Sequence, residues 1–456
     1  MTDPTVGADA KRGSAGAAWV AGVFAVLALA WVASEVPLKF DDLNYLTEAL
    51  RNRDNPLHWR LDPWYAHWRP LPYLLWWGLG PLSLDGGLVR LAQVGTWLGT
   101  AALMAHLGWR EAGWRGLLVG VLAFPLNPFA LEALDWKSWL TSTGGALGMA
   151  LGLWELTRGE RARWGVIAAA AALALGFKEI AAFSLGLAAL AAGPARSVRA
   201  VGAAAVVAGL LAALPAQHRL QAWSLGTAWF YVFRMHQMAW VVPLAVASLR
   251  PQWRPWIGLS IGAAALVLEP IGGTVVLVSL AVLARHRPRW GLAAAVVWGI
   301  VVSGSQRTPV YALEGWLIFA AFLAKDPPPV RPWAWAGVAA LAVAGLWPWA
   351  LQLSGSFGRA AEQRAFLAAF HPEPVKVIYV GEHKALDLDA IVWMSLGAEV
   401  QTAPPRGTRP VELGPRSCVW ADAVPLAPGE REQDWPRPGQ CPAAIGLNQP
   451  PERQGQ

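Results

Sequence analysis

The chain reads as an all-α polytopic membrane protein of about thirteen transmembrane helices, with amphipathic helices in its first outer loop and a small C-terminal α/β appendage. Three observations predict this. Hydrophobic residues fill 55% of 456 positions and charged ones only 15%, too little charge for a soluble chain of this size. Many windows of about 18–20 residues are nearly free of charge, the length that crosses roughly 30 Å of hydrocarbon. The 29 tryptophans suit a protein with much lipid–water boundary, where indole concentrates.

Lys11 and Arg12 precede the first apolar run, 17–36, so residues 1–16 read as a cytoplasmic tail. That run is longer than a signal-peptide core, and Ser34-Glu35-Val36 is a poor cleavage site. Further spans fall near 88–108, 115–131, 138–157, 164–177, 180–193, 199–215, 227–249, 255–268, 271–284, 290–304, 309–324 and 333–353. Arginine clusters mark alternate loops: Arg110 and Arg115; Arg158, Arg161 and Arg163; Arg196 and Arg199; Arg285, Arg287 and Arg289. Such alternation places those loops in the cytoplasm. It also accounts for the net charge of +7 without a nucleic-acid partner, since no long basic patch is interleaved with aromatics. The membrane domain then spans 17–353, with a first outer loop at 37–87. Residues 354–456 form an extracytoplasmic C-terminal region. Within it, "VKVIYV", "LDLDAIVWMSL" and "AEVQT" predict strand–helix–strand in a small α/β unit near 374–425, with a disordered remainder. Cys418 and Cys441 lie in this region, where one disulfide could form. No Cys/His cluster suggests zinc.

The candidate chemistry gathers on the outer side. Asp41 and Asp42, in "KFDDLNYL", follow the first span. Loss of hydration there raises a carboxylate's pKa and makes it a better base. The plainer alternative is a helix cap for "LNYLTEAL". Arg69 in "HWRPLPYLLWW" either snorkels to the interface or grips an anionic head group with its planar fork. Lys178 and Glu179 interrupt the apolar stretch 166–192, a costly placement that points to function unless the pair caps a tight turn. Glu132, Asp135 and Lys137 in "ALEALDWKSW" invite the same argument, as does Glu269. His218, Arg219, Arg307 and Tyr311 are expected on this side too.

In order and spacing over roughly 17–200, these phrases resemble those of the GT-C glycosyltransferases. Within that superfamily the chain is most similar to the protein O-mannosyltransferases and related bacterial lipid-sugar transferases. The resemblance implies a polyprenyl-phosphate-linked sugar donor, transfer with inversion to an extracytoplasmic glycan, lipid or protein acceptor, and an active site on the outer face. It assigns the catalytic base to Asp41, the second acid to Asp42, and donor-phosphate binding to Arg69, Lys178 and Arg307. Glu179, Glu132, Asp135, Lys137, Tyr311 and Glu269 are supporting residues. No cofactor is required, although a divalent cation could sit on Asp41 and Asp42. The chain departs from many relatives in its short loop near 216–226, and no MIR-type or tetratricopeptide region follows the membrane part. Richness in Ala, Arg, Trp and Pro suggests a high-GC bacterium and its inner membrane. The rival expectations are a lipid-linked sugar transporter, with Gly/Pro-broken helices at mid-membrane depth, and a non-catalytic envelope assembly protein. Deletion of 360–456 would test the last.

Overall fold

A computed structural model describes residues 38–55, 69–213, 232–249, 255–304, 313–369, 375–379, 388–401, 405–412 and 420–429. The run expected to form the first span, and with it His218, Arg219, Arg307, Tyr311, Cys418 and Cys441, lies outside the described residues.

The helices in chain order are α1 (Phe40–Arg51), α2 (Pro70–Leu79), α3 (Gly87–Ala123), α4 (Pro128–Glu132), α5 (Leu140–Leu156), α6 (Trp164–Phe177), α7 (Glu179–Ala192) and α8 (Arg196–Ala213). They continue with α9 (Val241–Leu249), α10 (Pro255–Val267), α11 (Glu269–Ala284), α12 (Pro288–Gly304), α13 (Leu313–Lys325), α14 (Ala334–Gly345) and α15 (Trp347–Ala369). The C-terminal unit adds β1 (Val377–Tyr379), α16 (Leu388–Ser395), β2 (Glu399–Gln401), β3 (Thr408–Glu412) and β4 (Trp420–Pro425).

Three helical stretches are long and apolar enough to cross a membrane: Gly87–Ala123, Arg196–Ala213 and Ala334–Leu351. A fourth counts if Val232–Met238 and Val241–Leu249, bent by 79°, are taken as one. The segments expected at 164–177, 180–193, 255–268 and 271–284 are helical but shorter. The 14 residues of α6 and of α7 rise about 21 Å, short of the ~30 Å of a hydrocarbon core. On α8, Val207, Leu210 and Leu211 stay exposed, an apolar face suited to lipid.

Inside α3 the backbone breaks at Ala112 and Gly113, the latter at φ +61°, a left-handed value that glycine adopts without strain. On either side the chain folds back on itself: a Cβ at Gly108 would strike the carbonyl of Gly116, and one at Gly120 the main chain of Met104. So α3 is a hairpin of two helices, divided between the runs expected at 88–108 and 115–131; its second arm stops at Ala123, and the rest of the latter run forms a turn and most of α4. A second reversal occurs at Lys178, the single extended residue between α6 and α7. Gly148 of α5 abuts Ala174 before that reversal, and Gly152 abuts Leu185 after it. The two helices therefore enter and leave along the same neighbour.

These reversals sort the charges. At one end Glu155 is buried and pairs with Arg158 and Arg163, Glu111 pairs with Arg110 and Lys325, and Arg287 pairs with Asp326. The opposite end carries α1, α4 and the α6–α7 reversal. In the C-terminal unit β1 and β2 run parallel through α16, as "VKVIYV…LDAIVWMSL…AEVQT" predicts. The strands β3 and β4 extend this to a four-stranded sheet of order β2-β1-β4-β3.

Replacing Gly108 with Leu should break the α3 hairpin. Overpacking costs about 1–3 kcal/mol where side chains can shift, and here the obstacle is backbone. Thermal melting of the detergent-solubilised variant should show a clear fall in midpoint or no folded peak, whereas Gly95→Leu, with open space around its Cβ position, should melt like the parent.

Candidate functional site

The charged end is built on the segment 127–139. Asn127 caps α4 by accepting a hydrogen bond from the Phe129 amide at 2.8 Å. Three side chains on one face of α3, at i, i+3 and i+7, then fix this segment. Arg90 Nη1 donates to the Leu134 carbonyl and, at 2.7 Å, to Gln93 Oε1. Gln93 Nε2 donates to the carbonyls of Ala133 (2.6 Å) and Trp136 (2.5 Å), and Trp97 Nε1 to that of Ala130 (2.9 Å).

Onto this loop docks α1. Asp42 is fully buried. Its Oδ2 accepts from the Lys39 amide at 2.9 Å, the N3-to-cap half of a capping box, and its Oδ1 accepts from the Ser138 amide. Burial pushes the Asp42 carboxyl upward, against the two amides and the nearby Lys137 ammonium. Lys39 reaches back to Asp135 Oδ2 at 2.5 Å and lies 5.4 Å from the Trp136 ring centroid. Trp136 in turn stacks on Trp139 at 5.3 Å. Lys137, nearly buried, donates to the Asp85 carbonyl. Burial drives its pKa down to about 8, with Asp42 pulling the other way.

Two further ion pairs complete the end of the bundle. Arg69, the residue before α2, forms a fork with Glu179, Nε to Oε2 at 2.9 Å and Nη2 to Oε1 at 2.8 Å. Lys178 is 1% exposed; its Nζ donates to Ser142 Oγ at 3.1 Å and lies 2.7 Å from Glu314 Oε1, itself 1% exposed. The Glu314 oxygens meet no well-angled donor, so charge holds that pair more than hydrogen bonding does.

Glu132 behaves differently. It ends α4 with its side chain partly exposed, and it makes no hydrogen bond among the described residues. Burial by the surrounding protein pushes its pKa up to about 8, against the pull of Arg234.

The structure thus brings Asp42, Glu132, Asp135, Lys137, Arg69, Lys178 and Glu179 to one end. It gives Asp42 an anchoring job: each of its oxygens accepts a main-chain amide. For Asp41 the main chain lies in α1. Glu269 opens α11, exposed and without an ion pair among the described residues. Within the described residues no group of three or more His, Cys, Asp or Glu is arranged to hold a metal. Sequence reasoning passed over Arg90, Gln93, Arg234 and Glu314. Arg90 and Glu314 carry the signal that singled out Lys178, an ionisable group inside an apolar run.

Two outcomes follow from this geometry. Asp42→Ala leaves two buried amides without acceptors, at about 1–3 kcal/mol each, so it should lower the unfolding midpoint markedly in detergent. Glu132→Gln should do the reverse in a pH-dependent way. A carboxyl raised in the fold penalises folding once the unfolded chain ionises, and the penalty grows from about pH 4.5, its ordinary value, until it levels off above about 8. Melting curves should coincide at pH 4 and show the variant more stable at pH 9. Comparison with known proteins gives no match: no family model, no curated protein and no solved structure matches this chain.

Proposed function

We propose that this protein is a membrane glycosyltransferase that moves a sugar from a polyprenyl-phosphate donor to an extracytoplasmic acceptor. In this reading the chain crosses a bacterial inner membrane about thirteen times, some crossings by short helices. What supports it is the convergence of Asp42, Glu132, Asp135, Lys137, Arg69, Lys178 and Glu179 from separate elements onto one end of the bundle. The arginine-rich network of Arg110, Arg158, Arg163 and Lys325 occupies the other end, and the positive-inside rule turns that end to the cytoplasm.

The donor enters sideways from the lipid. Its phosphate meets Arg69, held in place by Glu179, with the buried Lys178 acting by charge from behind and Arg307 joining on the strength of the sequence resemblance. The acceptor hydroxyl attacks the anomeric carbon and passes its proton to Asp41. The bond from that carbon to the phosphate oxygen breaks on the opposite face, which inverts configuration. Asp42 acts as a positioning residue here: by tying α1 to Ser138 it sets where the neighbouring Asp41 stands. General-base catalysis of this kind contributes about 10²–10⁴-fold, and holding both substrates supplies much of the rest. The mechanism calls for no metal.

A transporter reading draws on the 79° bend between Val232–Met238 and Val241–Leu249, since broken helices mark transport sites. Among the described residues it is the one bent pair apolar enough to count as a single span, whereas the breaks at Gly113 and Lys178 fold their arms back on each other. The charges also gather at an end rather than at mid-depth, which favours the transferase.

Purified protein given a panel of undecaprenyl-phosphate sugars should release the lipid phosphate from at least one. Asp41→Asn should cut that release by at least 10²-fold with an unchanged melting midpoint. Full turnover in the variant would remove Asp41 as the base, and no release from any donor would remove the transferase reading.

A further inference from the structure

The end of α1 and the C-terminal unit meet around a cleft of about 440 Å³, within the range of about 300–1,000 Å³ usual for ligand sites. Leu50, Met394 and Ala398 are buried and form its floor. Arg51, Arg53, Asp54 and Glu399 stand exposed around its rim.

Main-chain contacts fix both walls. On the α1 side Trp77 Nε1 donates to the carbonyls of Asn52 and Arg53, at 3.2 Å each, and Asn52 Nδ2 donates to that of Glu48 at 3.0 Å. On the other side Gly397 follows α16 at φ +92°, a value that glycine adopts without strain. Its amide donates to the Met394 carbonyl at 3.0 Å, and the Glu399 amide donates to that of Lys376 at 2.8 Å. A Cβ at Gly397 would meet nothing within 4 Å.

The rim charges do not neutralise one another. Arg53, Asp54 and Glu399 form no ion pair among the described residues, and Arg51 reaches only Glu48 of its own helix, at 3.4 Å. Two guanidiniums that only donate hydrogen bonds therefore share one cleft with two carboxylates that only accept them. An anion would satisfy the first pair and be repelled by the second, and a cation would do the reverse. A hydroxyl both donates and accepts. A ligand carrying many hydroxyls can satisfy all four side chains, while the C–H face of a sugar ring covers the apolar floor.

We propose that this cleft binds a neutral glycan and that the glycan is the acceptor, a role that rests on the transferase reading. Asp41 lies in the first turn of α1 and Arg51 at its end, about 15 Å apart along the axis. A glycan chain lying along α1 brings one end to Asp41 while a ring further back is held in the cleft. The acceptor selected in this way is an existing oligosaccharide rather than a free monosaccharide.

The test is equilibrium binding to the full-length protein in a detergent without a sugar head group. The probes are short neutral oligosaccharides of glucose, mannose, galactose and N-acetylglucosamine, with glucuronate oligosaccharides of matched length as charged controls. At least one neutral probe should bind. Arg53→Ala and Glu399→Ala should each weaken it about 10-fold, the loss of one charge-assisted hydrogen bond. Both side chains are exposed, so both variants should melt like the parent. Binding of no neutral probe, tighter binding of the glucuronates, or parental affinity in both variants overturns the proposal. Binding that depends on the cleft, with no lipid phosphate released from any donor, supports the glycan site and removes the acceptor role together with the transferase reading. Release of lipid phosphate with an acceptor KM unmoved in Arg53→Ala and Glu399→Ala removes the glycan site and leaves the transferase reading standing.

Discussion

A carboxylate taken out of water is costly unless donors replace its hydration, and Asp42 meets that cost with two main-chain amides. The arrangement does more than satisfy one side chain. The Lys39 amide belongs to the start of α1 and the Ser138 amide to the 3-10 turn Lys137–Trp139, so a single group sets the register between α1 and the loop that follows α4. That loop is in turn held from below by Arg90, Gln93 and Trp97. Were Asp42 to let go, α1 could slide along the loop, and both the Lys39–Asp135 contact and the position of Asp41 would go with it.

The two ends of the bundle use charge differently. At the arginine-rich end Arg287 faces Asp326 in the open; an exposed pair of this sort contributes about 0–1 kcal/mol. Around Lys178 and Glu314 both partners are almost wholly buried. Buried pairs are weak evidence for stability, since desolvation offsets their attraction and an apolar pair would often serve as well. Under the proposed transferase function, this pair supplies fixed charge at the end that also carries Asp42 and Glu132. The Arg69–Glu179 fork joins the head of α2 to the head of α7 and so ties α2 to the α6–α7 reversal.

Much of this was legible from local pattern. Lys178 and Glu179 stood out because ionisable groups inside an apolar stretch are expensive, and α1 and the strand–helix–strand β1–α16–β2 followed from periodicity. What escaped had non-local or short causes. The partner of Asp42 is an amide 96 positions away, and nothing in "FDD" announces an acceptor for Ser138. The reversals at Gly113 and Lys178 fall where the apolar runs were divided; what was overread is that each run crosses a membrane alone, since α6 and α7 have only 14 residues each. The strands β3 and β4 contain Pro410 and Pro425, with an irregular register between Pro410 and Val411, which weakens their alternation. Arg90 and Glu314 sit close enough to the ends of their runs to pass for boundary charges.

The C-terminal unit shares a core with the charged end. Leu43, Leu46 and Leu50 of α1 pack with Trp76, Ile378, Ile391 and Met394 in one apolar cluster. On α15, Gln363 exchanges two hydrogen bonds with Leu38, accepting from its amide at 2.8 Å and donating to its carbonyl at 2.9 Å. Arg359 and Arg364 of the same helix act on Lys39 and Lys137. A deletion of residues 360–456 would therefore strip the outer face of α1 and free the main chain just before Lys39. Loss of turnover in such a truncation would not favour an assembly role, because an enzyme whose first outer helix had come loose would fail in the same way. The distinction has to be drawn with single substitutions inside the charged end, where the appendage and its packing stay in place.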